Sequence, residues 1–318
     1  MKQTRGQQTM NILITGINGF IGGSYAARLR TAGTARIVGI DIQGEPATAG
    51  RCDEYLQLDL GGPRAAETLR GLPRFDAVLH AGGISGFMVE TGNPQRIFDV
   101  NVTGTMAVLD MVRRQPCRRI VLCSTIMVYG PDDGTAPPHD EAEYPVPISV
   151  YGGSKLAQEG LLSAFVGEYG VDAIALRFAH VYGPGRTTEC FVREMLAAAA
   201  AGRRCSIPQA SGSLRQYVHS SDVIDAIDLA MRVEAPAWRI FNISADELQT
   251  LAETADAVRS LVGALDVAFD ESLDLPNYRI GKLSIRRARE VLGYQPRLPL
   301  QAGLRDYWRA FSTADRSR

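Results

Sequence analysis

Short apolar segments that alternate with helix-like stretches constrain the fold of this 318-residue chain more than any other feature. Five such segments have the length of a strand, at residues 11–15, 36–40, 75–80, 119–124 and 171–178. Helical patterns lie between or after them, at about residues 63–71, 94–115, 150–169 and 189–201. Strands that are apolar on both faces are typical of a parallel sheet covered by helices on both sides. The sequence therefore predicts an α/β fold with a doubly wound parallel sheet.

A glycine-rich loop follows the first apolar segment. Gly16, Gly19 and Gly22 have the spacing G-x-x-G-x-x-G and open a helical pattern. Such glycines permit a tight turn, let the backbone approach a pyrophosphate and let the helix pack closely on the strand. The helix N-terminus then offers N–H groups to the phosphates. The spacing indicates a dinucleotide site, although three glycines this close together can also form an ordinary turn.

An acidic residue, Asp41, closes the second apolar segment about 20 residues after the last glycine. A carboxylate at this place can accept hydrogen bonds from the 2′- and 3′-hydroxyls of an adenosine ribose, and it would repel a 2′-phosphate. The next residues, Ile42 and Gln43, supply no arginine to hold such a phosphate. These residues predict NAD rather than NADP as the cofactor, the alternative being that Asp41 is an ordinary turn residue.

Tyr151 and Lys155 lie four residues apart at the start of a predicted helix, and therefore on one face of it. A phenol has a pKa of roughly 10, which a nearby ammonium and a nicotinamide cation would lower. Tyr151 could then take the proton of a substrate hydroxyl while hydride leaves the same carbon. Lys155 could also bind the nicotinamide ribose. Thr125 is placed to donate to the substrate oxygen, with Ser124 as the alternative.

Pairs with this tyrosine–lysine spacing are also common on amphipathic helices, so two further features matter. Gly152 and Gly153 weaken a helix by up to ~1 kcal/mol each, so helix propensity does not explain them. Lys155 is one of only three lysines in a chain that has 31 arginines. Both features favour a catalytic interpretation of the pair.

Composition and charge argue against several classes of protein. The formal net charge of −1 gives no basic excess for nucleic acid or an anionic membrane, and no apolar run is long enough to span a bilayer. The five cysteines form no C-x-x-C pair, which argues against a disulfide scaffold and indicates a reducing compartment, expected to be the cytoplasm. The four histidines have no metal-ligand spacing, so no metal is expected.

The chain resembles the extended short-chain dehydrogenase/reductase family, in particular its NAD-dependent epimerase/dehydratase branch. The resemblance covers about residues 11–310. It rests on TGINGFIG at 15–22, Asp41, the L-D-L around Asp59, NVTGT at 101–105, CSTIMVYG at 123–130, YGGSK at 151–155, LRFAHVYGPG at 176–185 and RQYVHSSDV at 215–223.

The resemblance implies an NAD-binding Rossmann domain over residues 11–180, to which 214–244 return, and a smaller C-terminal substrate lobe from 181–213 and 245–312. It also implies a homodimer formed through the helices at 94–115 and 150–169. The implied catalytic residues are Thr125, Tyr151 and Lys155. The implied NAD contacts are Gly16, Gly19, Phe20, Ile21, Gly22, Asp41, Asp59, Leu60, His80, Ala81, Gly82, Asn101, Tyr151 and Lys155. The implied substrate contacts are Ser85, Thr125, Ile126, His180, Arg186 and Arg215.

The chain departs from the family pattern at several of these places. His180 and Gln216 replace the usual asparagine and aspartate, so a role for His180 in substrate binding competes with a structural one. Arg215 matches a position that often holds a nucleotide-sugar phosphate, and a bidentate guanidinium suits a diphosphate. Thr125 is followed by Ile126 and Met127 rather than by the Asp-Glu pair of the dehydratases, so dehydration is not expected.

Three functions follow from these residues. The first is an NAD-dependent epimerase that oxidises a sugar or nucleotide-sugar hydroxyl to a transient ketone and returns hydride to the opposite face. The second is a net NAD-dependent dehydrogenase of a free sugar, a sugar acid or a hydroxy amino acid. The third is a non-enzymatic dinucleotide sensor or scaffold on the same fold, which would not need the whole Thr125, Tyr151 and Lys155 set.

Overall fold

The computed structural model describes residues 9–47, 50–85, 92–132, 134–272 and 280–315. The strands are β1 Met10–Thr15, β2 Ala35–Asp41, β3 Glu54–Gln57, β4 Ala77–His80, β5 Arg119–Thr125, β6 Ala173–Phe178, β7 His180–Tyr182, β8 Cys205–Ile207, β9 Leu214–His219, β10 Ile240–Ile243, β11 Leu248–Thr250 and β12 Val267–Phe269. The α-helices are α1 Phe20–Ala32, α2 Ala65–Arg70, α3 Pro94–Phe98, α4 Gly104–Arg114, α5 Val150–Tyr169, α6 Phe191–Ala200, α7 Ser220–Arg232, α8 Leu251–Val262 and α9 Leu300–Asp315. Two π-helical turns, Asp99–Thr103 and Ala288–Leu292, and a 3₁₀ turn, Ile126–Val128, complete the described elements.

The main sheet has seven strands in the order β10-β6-β5-β4-β1-β2-β3. Neighbouring strands pair in parallel, for example Ile12 of β1 with Ile37 of β2 and with Ala77 of β4. The chain fills one side of β1 with β2 and β3 and then crosses to β4 on the other side, which makes β1 and β4 the topological switch point. The prediction of an α/β fold with a doubly wound parallel sheet is confirmed.

Two features of the fold differ from the sequence-based expectation. Strand β3 lies at the edge of the sheet, with its two end residues exposed and its two central residues partly buried, so it has no continuous apolar run to mark it. The helix expected over 94–115 is divided into α3, the π-helical turn Asp99–Thr103 and α4. A π-helical turn inserts one residue into the helical ladder, and such turns are frequent at functional sites.

The contacts within the chain divide it into two compact units. The first consists of the described residues up to Cys123 together with 160–174, and it holds β1 to β4 and the glycine loop. Its core is apolar, since Ile12, Leu13 and Ile14 of β1 have no exposed surface.

The second unit consists of residues 124–159 and the described residues from Ala175 onward. In it, β10 pairs with β6, whereas Val218 lies in β9 of a separate three-stranded sheet with β7 and β11. A second apolar core lies among α6, α8 and α9, and it includes Met195, Val258 and Leu304.

All five cysteines are free thiols. None of the helices formed by the described residues combines the length and apolar character that crossing a bilayer requires. Within the described ranges, histidine, cysteine, aspartate and glutamate side chains do not gather in threes where a metal ion could be held.

Candidate functional site

The glycine loop of the first unit has backbone that only glycine can supply at two positions. Gly16 has a φ of +68°, and a Cβ there would lie 2.8 Å from the carbonyl of Ala81. A Cβ on Gly22 would overlap the carbonyl oxygen of Gly16. Helix α1 begins after Gly19 without a side-chain cap, with Phe20 and Ile21 in its first turn. The loop therefore has the close packing and the free helix N-terminus that a pyrophosphate site requires.

Asp41 is the last residue of β2, and its carboxylate is joined directly to the glycine loop. Its Oδ2 accepts a hydrogen bond of 2.9 Å from the backbone N–H of Asn18. The amide of Asn18 in turn donates to the hydroxyl of Tyr55 and to the carbonyl of Glu45. A carboxylate offers about four lone-pair directions, so Asp41 keeps acceptors for ribose hydroxyls. Sequence reasoning missed Asn18, whose only signal is its place inside the glycine motif.

The turn after β3 contains Asp59 and Leu60. The Asp59 carboxylate accepts from the guanidinium of Arg96 at 2.8 Å and from the N–H of Gly61 at 3.0 Å. Leu60 is buried, and Gly104 packs so closely on it that a Cβ would lie 2.9 Å from the Leu60 Cβ. The structure thus holds Asp59 and Leu60 in a turn pinned by the helical segment 94–114.

The segment that follows β4 is held by buried polar side chains. His80 is buried, and its two ring nitrogens contact the hydroxyls of Thr15 and Thr105 rather than facing outward. Asn101, in the π-helical turn, binds both backbone groups of Ile84, accepting from its N–H at 2.8 Å and donating to its carbonyl at 3.1 Å. The hydrogen bonds of Asn101 and His80 therefore hold this segment in place.

Two other predicted residues of the segment lie near its ends. Gly82 has no room for a side chain, since a Cβ would lie 2.9 Å from both Leu60 and Thr15. Ser85 is exposed.

In the second unit, the three predicted catalytic residues lie on two neighbouring segments. Thr125 ends β5 and is buried, and its hydroxyl accepts from the N–H of Met127 at 3.2 Å. Tyr151 is half-buried and Lys155 is buried on α5, one turn apart on the same face. A Cβ on Gly152 would overlap the carbonyl oxygen of Met127. Gly152 is thus what lets the helix of Tyr151 approach the segment that follows Thr125.

A buried ionic network lies behind these residues. The hydroxyl of Ser124 donates to Glu159. The Glu159 carboxylate binds Arg177 through two parallel bonds, at 3.0 Å from Nε and 2.7 Å from Nη2, and each side chain is only 2% exposed. Arg177 also donates to the hydroxyl of Tyr129 at 2.7 Å, which donates to the amide oxygen of Asn242 at 2.9 Å. In each of these hydrogen bonds of the network, a donor therefore faces an acceptor.

The charges of this network support its ionised form. Burial alone would lower the pKa of Arg177, but the hydrogen bonds and negative charge of Glu159 outweigh it and raise that pKa. Burial raises the pKa of Tyr129 to about 12, against the opposing effect of Arg177, so Tyr129 stays a neutral donor. Arg177 therefore needs Glu159 as its counter-ion.

The network also bears on the choice between the two candidate hydroxyls. Ser124 gives its proton to Glu159, so Thr125 is the better candidate to donate to a substrate oxygen. Glu159 follows Lys155 by one turn on the α5 face that also carries Tyr151. The Ser124–Glu159 bond hence joins the end of β5 to the helix of the tyrosine and lysine. Sequence reasoning missed the Glu159–Arg177 ion pair, although Arg177, an arginine inside the apolar strand β6, was a visible signal.

The predicted substrate residues of the second unit fall into two groups, of which His180 and Arg215 form the first. His180 Nδ1 donates to the carbonyl of Gln216 at 3.2 Å. Burial, and then the charges of Arg215 and Arg186, lower the pKa of His180 to about 3, so the ring is neutral. Arg215 is buried, donates to the amide oxygen of Gln209 and lies 5.4 Å from the ring centre of Phe191.

Arg186 and Ile126 form the second group. The guanidinium of Arg186 donates to the carbonyls of Val181, Thr188 and Glu189, so it ties together its own loop. Ile126 is buried at the start of the 3₁₀ turn.

The sequence and structure of this chain match known proteins over most of its length. The family model described as "NAD dependent epimerase/dehydratase family" matches residues 12–244. A UDP-glucose 4-epimerase of Mycolicibacterium smegmatis is 29% identical over 315 residues, covering 93% of this chain and 96% of that enzyme. UDP-glucuronic acid decarboxylase 5 of Arabidopsis thaliana is 26% identical over 313 residues, covering 94% of this chain and 88% of that enzyme. The solved structure of MoeE5 in complex with UDP-glucuronic acid and NAD has a TM-score of 0.85 and 27% identity, covering 96% of this chain and 99% of that one.

The names of these relatives refer to different reactions. The family match extends over well more than half of the chain and includes the glycine loop, the end of β5 and the start of α5. The resemblance inferred from the motifs is confirmed, and the chain belongs to the NAD dependent epimerase/dehydratase family.

Proposed function

We propose that this protein is an NAD-dependent epimerase of a nucleotide sugar, acting through a transient ketone. The observation that carries the proposal is the arrangement of Thr125, Tyr151 and Lys155 in one unit. Gly152 permits the close approach of the two segments, and the buried Ser124–Glu159 bond joins them. A sensor or scaffold protein would not require a hydroxyl, a phenol and an ammonium in this arrangement.

The glycine loop of the first unit supplies the groups that would hold NAD. Gly16 and Gly22 leave no room for side chains, and α1 begins with uncapped N–H groups that suit a pyrophosphate. Asp41 would accept the ribose hydroxyls, and His80 and Asn101 shape the neighbouring segment. NAD, when bound, accepts a hydride from the substrate carbon and can return it.

The chain's own residues supply the proton chemistry. Thr125 donates a hydrogen bond to the oxygen of the reacting hydroxyl and keeps it in place for proton transfer. Tyr151 takes the proton of that hydroxyl as the carbon becomes a ketone, and gives the same proton back when the alcohol re-forms. The ammonium of Lys155, one turn away, favours the phenolate form of Tyr151. For an epimerase, the ketone must turn over before its reduction and must not leave.

The polar groups around Arg215 support the proposed substrate class. Its guanidinium has the planar, bidentate geometry that suits a diphosphate. Nε2 of Gln209 is a buried donor beside it with no acceptor among the residues that the structure describes. A nucleoside diphosphate group would supply such acceptors. The relatives named for UDP-sugar reactions make UDP-hexoses the first substrates to test. We further propose that residues 181–213 and 245–312 form the lobe that binds them.

The second candidate is a net dehydrogenase of a free sugar, a sugar acid or a hydroxy amino acid. It is favoured by the engagement of Arg186 with its own loop and by the replacement of the usual asparagine with a neutral His180. In that reaction the same proton transfer by Tyr151 would operate, but the ketone and the reduced cofactor would leave.

We also propose a homodimer. In the first unit, Phe98 is 50% exposed and Met106 is 44% exposed, on α3 and α4, and Tyr169 of α5 is 48% exposed. Large apolar side chains that are this exposed are what an interface on these helices would cover. Light scattering should give the mass of two chains, and Met106→Glu should shift the protein toward one chain.

One experiment separates the two reactions. The purified protein, supplied with a trace of NAD, is incubated with UDP-glucose, UDP-galactose or UDP-glucuronic acid, or with the corresponding free sugars, and the products are followed by proton NMR. An epimerase converts a large excess of substrate over NAD, and a deuterium at the reacting carbon stays in the product. A dehydrogenase stops when the NAD is consumed and produces equivalent absorbance at 340 nm. Failure of every sugar, free or nucleotide-linked, would refute the proposal.

A further inference from the structure

We propose that His80 is a positioning residue for the dinucleotide site, and that it acts as the neutral Nε2-protonated tautomer. In this form it completes a hydrogen-bond chain of fixed direction from the backbone N–H of Gly82 to the backbone carbonyl of Asn101, through Thr15 and Thr105. These hydrogen bonds hold the segment after β4 against the glycine loop. The inference therefore rests on the proposed function, in which the glycine loop binds NAD.

The direction of the chain is set at Thr105. Its Oγ1 lies 2.6 Å from the backbone carbonyl oxygen of Asn101 and 2.8 Å from Nε2 of His80. A carbonyl oxygen can only accept, so the single hydroxyl proton of Thr105 points toward Asn101. Toward His80, the Thr105 oxygen must then accept. Nε2 of His80 therefore carries a proton.

The other ring nitrogen leads to the glycine loop. Nδ1 of His80 lies 2.7 Å from the hydroxyl of Thr15, and that hydroxyl accepts from the N–H of Gly82 at 3.0 Å. In a neutral imidazole with a proton on Nε2, Nδ1 accepts, so the Thr15 hydroxyl donates to it. An imidazolium would instead donate to the Thr15 oxygen and leave the buried Thr15 hydroxyl proton without an acceptor among the described residues, so the neutral form is the one that matches both threonines.

The residues of the chain are inaccessible to solvent, which makes each bond costly to lose. Thr15 has no exposed surface, and His80 and Thr105 are each 1% exposed. A buried polar group without its partner is strongly unfavourable, so a fully matched chain admits one arrangement of its groups. Apolar side chains could fill the same space, but they would not set one register between these segments.

The segments that the chain joins are those nearest the glycine loop. Thr15 immediately precedes Gly16, whose Cβ position lies 2.8 Å from the carbonyl of Ala81. The Cβ position of Gly82 lies 2.9 Å from the Thr15 hydroxyl and 3.1 Å from the N–H nitrogen of Gly16. The two backbones are thus in contact, and the threonine–histidine bond sets their spacing. A change in that spacing would move the amides that face a pyrophosphate.

The tautomer is tested directly on the protein without added NAD. Histidine side-chain nitrogens are observed by ¹⁵N NMR, and the His80 signals are assigned by their absence in His80→Gln. We expect a protonated Nε2 and an unprotonated Nδ1 at neutral pH. A proton on Nδ1, alone or together with one on Nε2, would overturn the proposal. This result does not depend on any activity of the protein.

The positioning role is tested by NAD binding. Thr15→Val removes the hydroxyl while keeping the side-chain shape, Thr15→Ser keeps the hydroxyl, and Thr31→Val makes the same change at an exposed position on α1. By calorimetry, below the unfolding temperature of every variant, Thr15→Val should weaken NAD binding about tenfold, or ~1.4 kcal/mol. The two other variants should bind like the wild type.

Two results would count against different parts of the account. If Thr15→Val lowers the unfolding temperature but binds NAD as tightly as the wild type, the chain is merely structural and the inference is wrong. If the wild type itself does not bind NAD, the proposed function is wrong, whereas the tautomer measured by NMR remains a test of the chain.

Discussion

Removing the charge of Glu159 is the most informative change to the buried network. Glu159→Gln keeps the size of the side chain but takes away the counter-ion of Arg177, a guanidinium that cannot lose its proton and is 2% exposed. It also places the amide hydrogens of the new glutamine against Ser124 and Arg177, which both donate to Glu159 in the wild type. Loss of one partner from a buried ion pair costs about 3–5 kcal/mol.

That free energy can be expressed as a change in melting temperature. At ~2.1 cal/mol/K of unfolding entropy per residue, a chain of 318 residues loses about 1.5 °C for each kcal/mol. We therefore expect the melting temperature of Glu159→Gln to fall by about 4–8 °C. The control is Glu67→Gln, the same change on an exposed carboxylate of α2, which should melt within about 1 °C of the wild type.

The same variant should also lose activity while folded, because Glu159 joins α5 to the end of β5. A shift of about 1 Å in the reacting groups can cost ~100-fold, so kcat should fall at least tenfold with little change in KM. Replacing both partners, as Glu159→Met with Arg177→Met, should restore much of the stability but not kcat. A Glu159→Gln protein with wild-type melting temperature and wild-type kcat would refute the argument.

Three further predictions follow from other residues. Gly152→Ala should reduce kcat more than tenfold, because the added Cβ would overlap the carbonyl oxygen of Met127. Gly153→Ala, whose added Cβ would have no atom within 4 Å, should stabilise the helix by about 0.5–1 kcal/mol and leave kcat unchanged. Equal effects of the two variants in kinetic and urea-unfolding assays would contradict this. Asp41→Ala should reduce the preference for NAD over NADP in calorimetry, and an unchanged ratio of dissociation constants would remove Asp41 from the ribose site. The pKa of His180 is about 3 in the fold and roughly 6.5 when unfolded, so the unfolded chain binds a proton first and stability should fall as the pH drops from about 6.5 toward 3. His180→Gln should lose less stability between pH 7.5 and pH 5 in urea, and a difference of the opposite sign would exclude a neutral His180.

The parts of this protein that could be predicted from the sequence are those encoded over short distances. The buried strands were visible because a strand covered on both faces carries a continuous apolar run, as residues 12–14 of β1 and 120–123 of β5 do. Strand β3 was not visible, since an edge strand with exposed faces lacks that pattern. The π-helical turn Asp99–Thr103 was missed because one inserted residue changes the helix register without changing its composition.

The candidate site divides in the same way. The glycine spacing and the tyrosine–lysine pair are local, so they were found as motifs. The partners of His80 are 65 and 25 residues away, and those of Glu159 are 35 and 18 residues away, so no periodicity connects them. His80 was expected to line the cofactor site, and the structure commits both of its ring nitrogens to threonines. The chemistry of single residues was thus predictable, but the hydrogen bonds that hold them in place required the fold.

The central claim is that Tyr151 transfers the proton of the substrate hydroxyl. The most direct measurement compares wild type and Tyr151→Phe for NAD affinity by calorimetry and, with NAD then supplied in excess, for turnover of the UDP-sugar that the wild type converts. We expect Tyr151→Phe to bind NAD with a similar dissociation constant and to lose at least about 100-fold in kcat. If Tyr151→Phe turns over at the wild-type rate, the phenol is not the proton carrier and the proposed mechanism is wrong.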